Sequence, residues 1–199
     1  MTEPIVFYDI ASASIGAWGP NTWKTRYTLN IKGIPYRKIA APFAETLPDG
    51  TPMFNDPNTK TPVADSAAIT RYLERTYDAH PGAGRRPPRR IQRGVHGDDC
   101  RNLNERSAAY FRATRGAFLG ADIDTLAPEG SAARAKHWAG VLKVFATFAG
   151  WIDAGGVRRT YFTGGEELCY AEVTIAGFTK FMTGFRQYEQ QDVGSVLEL

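Results

Sequence analysis

The sequence predicts an α/β N-terminal half followed by an all-α half. Three observations carry that prediction. Ile5, Val6, Phe7 and Tyr8 form an apolar, β-prone run, and a loop punctuated by Gly and Pro leads from it into a stretch of helical periodicity. Two short strand-like runs flank the turn residues Asp56-Pro57-Asn58-Thr59, and Asp65 then opens a second helical stretch. Beyond residue 97 the apolar and aromatic residues recur at helical spacing.

The first strand feeds a loop containing Gly16, Gly19 and Pro20. Pro20 suits the first turn of a helix, where its missing N–H leaves no bond unmade. Trp23, Tyr27 and Ile31 then fall at i, i+4 and i+8 on one face. Gly33 is placed to end the helix in a left-handed cap. A strand whose C-terminal end feeds a helix N-terminus makes an anion site, because unpaired N–H groups and the positive end of the dipole face the loop. A thiolate or a carboxylate suits it. Tyr8, at the end of the strand, reads as core packing.

Ile34 to Ala41 reads as a second strand, with Pro35 keeping its start at a sheet edge. The turn-rich link after it is shorter than a parallel crossover needs. Thr51-Pro52-Met53-Phe54 starts the next strand, and Pro62-Val63-Ala64 leads to Asp65-Ser66. Asp65 is a good N-cap for a helix reaching Tyr77, lined by Ile69, Tyr72, Leu73 and Thr76. Its N-terminus again suits an anion.

His80 to Gly97 is rich in Gly, Pro and Arg and almost lacks apolar residues, so it reads as a linker and not as a core helix. A basic arm for nucleic acid is the competing reading, but no interleaved aromatics support it. Leu103, Tyr110, Phe111, Thr114 and Phe118 mark the next helix. Ser131 or the turn before it caps another, whose stripe of Trp138, Val141, Leu142, Phe145, Phe148, Ala149 and Ile152 reads as core, closing near Gly155-Gly156. The last helix runs from Cys169 to about Phe185, with Cys a poor cap expected to cost ~1 kcal/mol.

Bulk properties narrow the function classes. The chain has 199 residues, room for one ordinary domain or two small ones. A net charge of +3 is too small to argue for nucleic acid by itself. Cys100 and Cys169 lie in no metal or redox spacing, which fits a reducing compartment. His80, His96 and His137 share no metal-ligand spacing, so no metal is expected. No basic, apolar leader opens the chain and no run approaches ~20 apolar residues, so a cytoplasmic protein with no membrane partner is expected. No nucleophile triad, P-loop or dinucleotide fingerprint is present.

Against this background FYDIAS…GAW-G-PNTWKTRYTLNIKGIPY resembles the opening of fungal glutathione transferases of the class related to bacterial glutathione-dependent β-etherases. PNTWKTRY is the most specific run. DPNTKTPVADSAAITRYLERTY is a second match, and weaker ones extend to about Phe178. The resemblance implies a thioredoxin-like glutathione-binding domain over 1–79, a linker over 80–97 and an incomplete all-α domain over 98–199. It implies glutathione as co-substrate and an electrophilic, aromatic small molecule as the second substrate. It also implies a homodimer.

The resemblance assigns roles residue by residue. Thr51, before a cis Pro52, offers its backbone to the cysteinyl part of glutathione. Ser66 takes the γ-glutamyl carboxylate and Asp65 the ammonium. In the class the loop run is Trp-Ser-Pro-Asn, with Ser and Asn near the thiol. Here Gly19 stands in the serine's place, leaving Asn21 as the donor, with Ser12 and Ser14 in the same loop as substitutes. A hydrogen-bond donor and a positive dipole end beside the sulfur are what lowers a thiol pKa. Three readings stay open: a transferase, a scaffold that binds glutathione or an aromatic ligand without turnover, and a degraded gene product. Gly19, the short link after Ala41 and the Arg-rich segment favour the last two.

Overall fold

The computed structural model describes residues 3–13, 17–41, 54–77, 100, 102–153, 156, 160–161 and 168–186. Ser14, the link with Thr51 and Pro52, the segment 80–97 and the tail from Gln187 lie outside the described residues. The elements are β1 (Ile5–Ile10), α1 (Pro20–Ile31), β2 (Tyr36–Ala41), β3 (Phe54–Asp56), β4 (Thr61–Val63), α2 (Ser66–Thr76), α3 (Glu105–Leu119), α4 (Ile123–Leu126), α5 (Ala132–Ile152) and α6 (Tyr170–Arg186). A mixed sheet in the order β2-β1-β3-β4 carries the first half, and helices carry the second.

β1 is parallel to β2, with Ile5 opposite Tyr36 and Ile10 opposite Ala41. β3 is antiparallel to β1, with Phe54 opposite Phe7. β3 therefore also runs against β2, and the end of β2 and the start of β3 lie at the same end of the sheet. The dozen-residue minimum for a parallel crossover does not apply to this link. The parallel crossover expected from sequence is thus replaced by an antiparallel return from β2 to β3.

Ile5, Phe7, Leu29, Ile34, Phe54, Ile69 and Leu73 form the first core, where the sheet meets α1 and α2. Each large side chain buried there contributes ~1.5–3 kcal/mol. The helix ends are made locally. Gly33 has φ 60, the N–H of Gly33 donates to the Asn30 carbonyl at 3.1 Å, and that of Ile34 donates to Leu29 at 3.0 Å. These two bonds make the Schellman motif that the glycine predicts. Asp65 Oδ1 accepts from the N–H groups of Ala67 and Ala68 at 3.0 Å each, and Ser131 caps α5 through the Arg134 N–H.

Two expectations of packing are overturned. The row Trp23, Tyr27, Ile31 does not face the core: α1 buries Thr22, Thr25, Thr28 and Leu29 instead. At Thr22 and Thr28 threonine can line that face because the hydroxyl is satisfied nearby, whereas the buried Thr25 hydroxyl has no hydrogen-bond partner among the described residues. Thr22 Oγ1 reaches the Trp18 and Gly19 carbonyls at 2.7 and 2.9 Å, and Thr28 Oγ1 reaches the Lys24 carbonyl at 3.0 Å. The apolar stripe of α5 is not core either. Phe148 and Arg134 are its buried residues, while Leu142 and Trp151 are exposed. Phe118 of α3 is exposed as well. A second core does form elsewhere, from Ile10, Trp18, Cys100, Leu103, Ala108, Phe111 and Ile123. Trp18 meets Phe111 and Phe181 edge-on, at centroid distances of 5.6 and 5.7 Å. No helix among the described residues is long and apolar enough to cross a membrane.

At the start of α6, Cys169 stands at the N-cap with Glu172 three residues on. The Cys169 N–H donates to Glu172 Oε2 at 2.9 Å, and Cys169 Sγ accepts from the Ala171 N–H at 3.4 Å. The Glu172 arm of a capping box is made, while the sulfur caps the second residue of the helix and not the third.

Candidate functional site

α1 and α2 lie side by side and run in the same direction. Thr28 Oγ1 meets Thr70 Oγ1 at 3.1 Å, and one turn on Lys32 Nζ meets Glu74 Oε2 at 3.3 Å. One turn earlier, Lys24 feels the charge of Asp65. The partners advance together along both helices, so the two N-termini open at the same end, where β1 also ends. Two helix dipoles thus present their positive ends to one place.

The N-terminus of α1 has no side-chain cap. Gly19 stands at its N-cap with φ 88 and ψ 127, a conformation that side chains resist. It is therefore more than a serine without its hydroxyl, because the loop follows a path that glycine permits. A Cβ there would lie 3.5 Å from Ile10 Cδ1 and 3.6 Å from Thr22 Oγ1, so the obstacle to a serine is backbone conformation and not space. Asn21 is exposed in the first turn, and Lys24 Nζ donates to its Oδ1 at 2.9 Å. That bond turns the amide so that Nδ2, its donor end, faces away from the ammonium. Burial pulls the Lys24 ammonium down to about 8, against the opposing pull of Asp65. Its charge also sits 4.9 Å from the centre of the Phe178 ring.

At the start of α2, Asp65 is exposed and holds φ 71, an unusual backbone for a residue with a side chain. Its Oδ1 closes the helix end. Ser66, the first residue of α2, is almost fully buried, with 5% of its surface exposed. Its hydroxyl accepts from the Tyr170 hydroxyl at 3.1 Å. A serine hydroxyl that accepts still has its own proton to give. The start of α2 thus carries an exposed carboxylate on Asp65 and a hydroxyl on Ser66 that keeps a proton to donate.

α6 spans both helix starts. Its first residue reaches Ser66, and seven residues later Gly177 lies against the carbonyl of Pro20 and the side chain of Lys24. Seven helical residues cover ~10 Å, close to the spacing of packed helices. Of the residues assigned from sequence, Gly19, Asn21, Asp65 and Ser66 thus belong to the two helix starts that α6 joins. Ser14, Thr51 and Pro52 lie outside the described residues. The sequence reading missed Tyr170 and Lys24. It also missed Asp9, which is buried beneath α1 and paired with Arg26. Burial pushes the Asp9 carboxyl up despite that pairing. A carboxylate in the otherwise apolar β1 run was the available signal. Among the described residues, no three His, Cys, Asp or Glu side chains are grouped to hold a metal ion.

Comparison with known proteins bears on this geometry. Residues 90–199 match the family of the glutathione S-transferase C-terminal domain. A glutathione S-transferase of Ceriporiopsis subvermispora, solved in complex with glutathione, is 30% identical, with 98% of this chain and 94% of that chain covered and a TM-score of 0.79. A second transferase of that fungus, also solved with glutathione, is 29% identical over 96% of this chain and 94% of that one, with a TM-score of 0.76. A glutathione transferase of Phanerochaete chrysosporium is 28% identical over 98% and 93%, with a TM-score of 0.73. Among curated proteins no relative matches significantly.

Proposed function

This chain belongs to the glutathione S-transferase family, and from that premise we propose that it binds glutathione and transfers its thiolate to an electrophilic, aromatic substrate. The observation that carries the proposal is the pair of parallel helix N-termini at one end of the sheet, one uncapped and one bearing Asp65 and Ser66. In this reading Ser66 donates its hydroxyl proton and backbone N–H to the γ-glutamyl carboxylate, and Asp65 faces the ammonium. The uncapped start of α1, with Gly19 and the Asn21 amide, takes the thiol end. Thr51 and Pro52 are assigned the cysteinyl backbone and Ser14 a place beside the thiol, on the strength of the resemblance.

The chemistry is a nucleophilic substitution. The thiol proton leaves for solvent, favoured by the dipole and the Asn21 donor. The sulfur then forms a bond to the electrophilic carbon, and the leaving group departs with its electron pair. The run Pro20-Asn21-Thr22-Trp23-Lys24-Thr25-Arg26-Tyr27 supports membership of the etherase-related class, where the leaving group is an aryl oxide. A cytoplasmic homodimer completes the reading.

Calorimetric titration of the whole chain with reduced glutathione tests it. We expect binding that weakens by ~1–3 kcal/mol in Ser66→Ala, the scale of a buried polar or charged group left unpaired. Absence of binding by the intact chain overturns the proposal. A second reading, binding without turnover, is favoured by Gly19, whose place in the class is held by a hydroxyl. Turnover of a chromogenic aryl electrophile by a chain that binds glutathione decides against it.

A further inference from the structure

We propose that Tyr170 is a positioning residue for glutathione, orienting the Ser66 hydroxyl from the far half of the chain. The inference rests on the reading that Ser66 receives the γ-glutamyl carboxylate. Its ground is one buried hydrogen bond: the Tyr170 hydroxyl donates to Ser66 Oγ at 3.1 Å, between residues 104 apart in sequence. Both residues are close to fully buried, at 5% exposure each.

A serine hydroxyl carries one proton and two lone pairs, and it rotates to suit its neighbours. With no fixed partner, the Ser66 proton could turn back to a carbonyl of its own surroundings, as Thr70 Oγ1 does to the Ser66 carbonyl at 3.0 Å. A donor aimed at Oγ occupies one lone pair and leaves the proton to point elsewhere. Tyr170 is that donor. Burial pushes its hydroxyl up from the ordinary tyrosine range, which keeps it a donor at neutral pH. The ordering cost of the Ser66 rotor is thus met in the free protein, which is where preorganisation adds to affinity.

The tyrosine is itself held. It is the first residue of α6, and the capping bonds that Cys169 makes with Glu172 and Ala171 fix the helix at that point. Its carbonyl accepts from Thr174 Oγ1 at 2.7 Å. Two turns on, Gly177 packs against Pro20 and Lys24 at the start of α1. The residue that sets the serine is therefore carried by the element that also fixes the thiol end of the site. Sequence neighbours give no hint of this, because Ser66 and Tyr170 meet only in the folded chain.

The test is a double-mutant cycle read by calorimetry on the full chain. The ligands are glutathione and an analogue lacking the α-carboxylate of its γ-glutamyl group. We expect Tyr170→Phe to weaken glutathione binding about two- to tenfold, the range for one neutral hydrogen bond. It should leave the analogue's affinity unchanged, and it should have no further effect in a Ser66→Ala background. A merely structural role predicts equal losses for both ligands, and that result overturns the inference. So does an unchanged glutathione affinity in Tyr170→Phe while Ser66→Ala still weakens it, which leaves the proposed function standing. If Ser66→Ala has no effect on binding, the carboxylate assignment fails and the inference goes with it. Tyr170→Met, which keeps bulk without a hydroxyl, carries the same expectations should the phenylalanine variant not fold.

Discussion

Asp56 is the most heavily satisfied carboxylate described in the chain. It is fully buried at the end of β3. It accepts from the Tyr77 hydroxyl at 2.6 Å, the Tyr72 hydroxyl at 2.7 Å, the Asn58 N–H at 2.9 Å and Asn58 Nδ2 at 3.0 Å. Burial alone would push its carboxyl up, but these bonds outweigh it and hold the carboxyl below its ordinary value. A carboxyl held low in the fold contributes stability that is complete above its unfolded pKa of ~4 and lost as pH falls through the folded value. Asp56→Asn should therefore be less stable than the parent by ~1–3 kcal/mol at neutral pH. The gap should narrow below pH ~4. Urea titrations across pH 2 to 7 check this, and a gap independent of pH would refute it. On the other side of the contact, burial first and then Asp56 push the Tyr77 hydroxyl up to about 12. That contribution holds below the unfolded tyrosine pKa of ~10 and is lost as pH rises through the folded value.

At the scale of elements, the packing of α6 on α1 turns on Gly177. A Cβ there would lie 2.9 Å from the Pro20 carbonyl oxygen and 3.0 Å from Lys24 Cγ. The first neighbour is backbone and cannot step aside cheaply. Gly177→Ala should cost ~1–3 kcal/mol through overpacking, reduced by the ~1 kcal/mol that alanine returns in a helix. Gly140 in α5 meets nothing within 4 Å, so Gly140→Ala should instead stabilise by ~0.5–1 kcal/mol. Denaturant midpoints moving in the same direction for both would refute the close-contact argument. The contrast shows what the sequence makes legible. Features decided within a few residues read well: Asp65 and Ser131 as caps, Gly33 as a terminator, Pro20 as a first turn. The buried face of α1 did not, because hydroxyls satisfied by nearby carbonyls let Thr22 and Thr28 stand where apolar residues were sought. Nor did α5, because a period of apolar residues states what a helix offers and not whether anything packs on it. The site was half legible for the same reason. Asp65 announces itself as a cap by local chemistry, and the role proposed for it and for Ser66 comes from the resemblance, whereas Tyr170, Lys24 and Gly177 come beside them only through the way α6 lies across the two helix starts.

At the scale of the whole molecule, the first half has a core of its own, but the second core is shared between the halves. Ile10 and Trp18, from β1 and its loop, belong to the cluster built on Leu103, Phe111 and Ile123. Trp18 is buried between Phe111 of α3 and Phe181 of α6, edge-on to both. The Tyr170–Ser66 bond and the Gly177 contact add two further ties between the halves. A chain tied in this way should unfold in one transition, with calorimetric and van't Hoff enthalpies equal. Trp18→Ala tests the tie directly. Removing a buried tryptophan costs ~3–5 kcal/mol. In a chain of this size each kcal/mol lowers Tm by about 2–4 °C. If the halves fold as one, the whole transition moves down by ~6–20 °C, and it stays single or loses cooperativity only in the variant. Glutathione, bound to the start of α2 in the first half, should then raise the melting of α3 and α6 as well, because a ligand of the native state stabilises everything that unfolds with its site. Monitoring tryptophan fluorescence and helical circular dichroism together distinguishes the outcomes. Two transitions in the parent chain, with glutathione shifting one of them alone, would show that the halves unfold independently and that the shared cluster is a contact without consequence for stability.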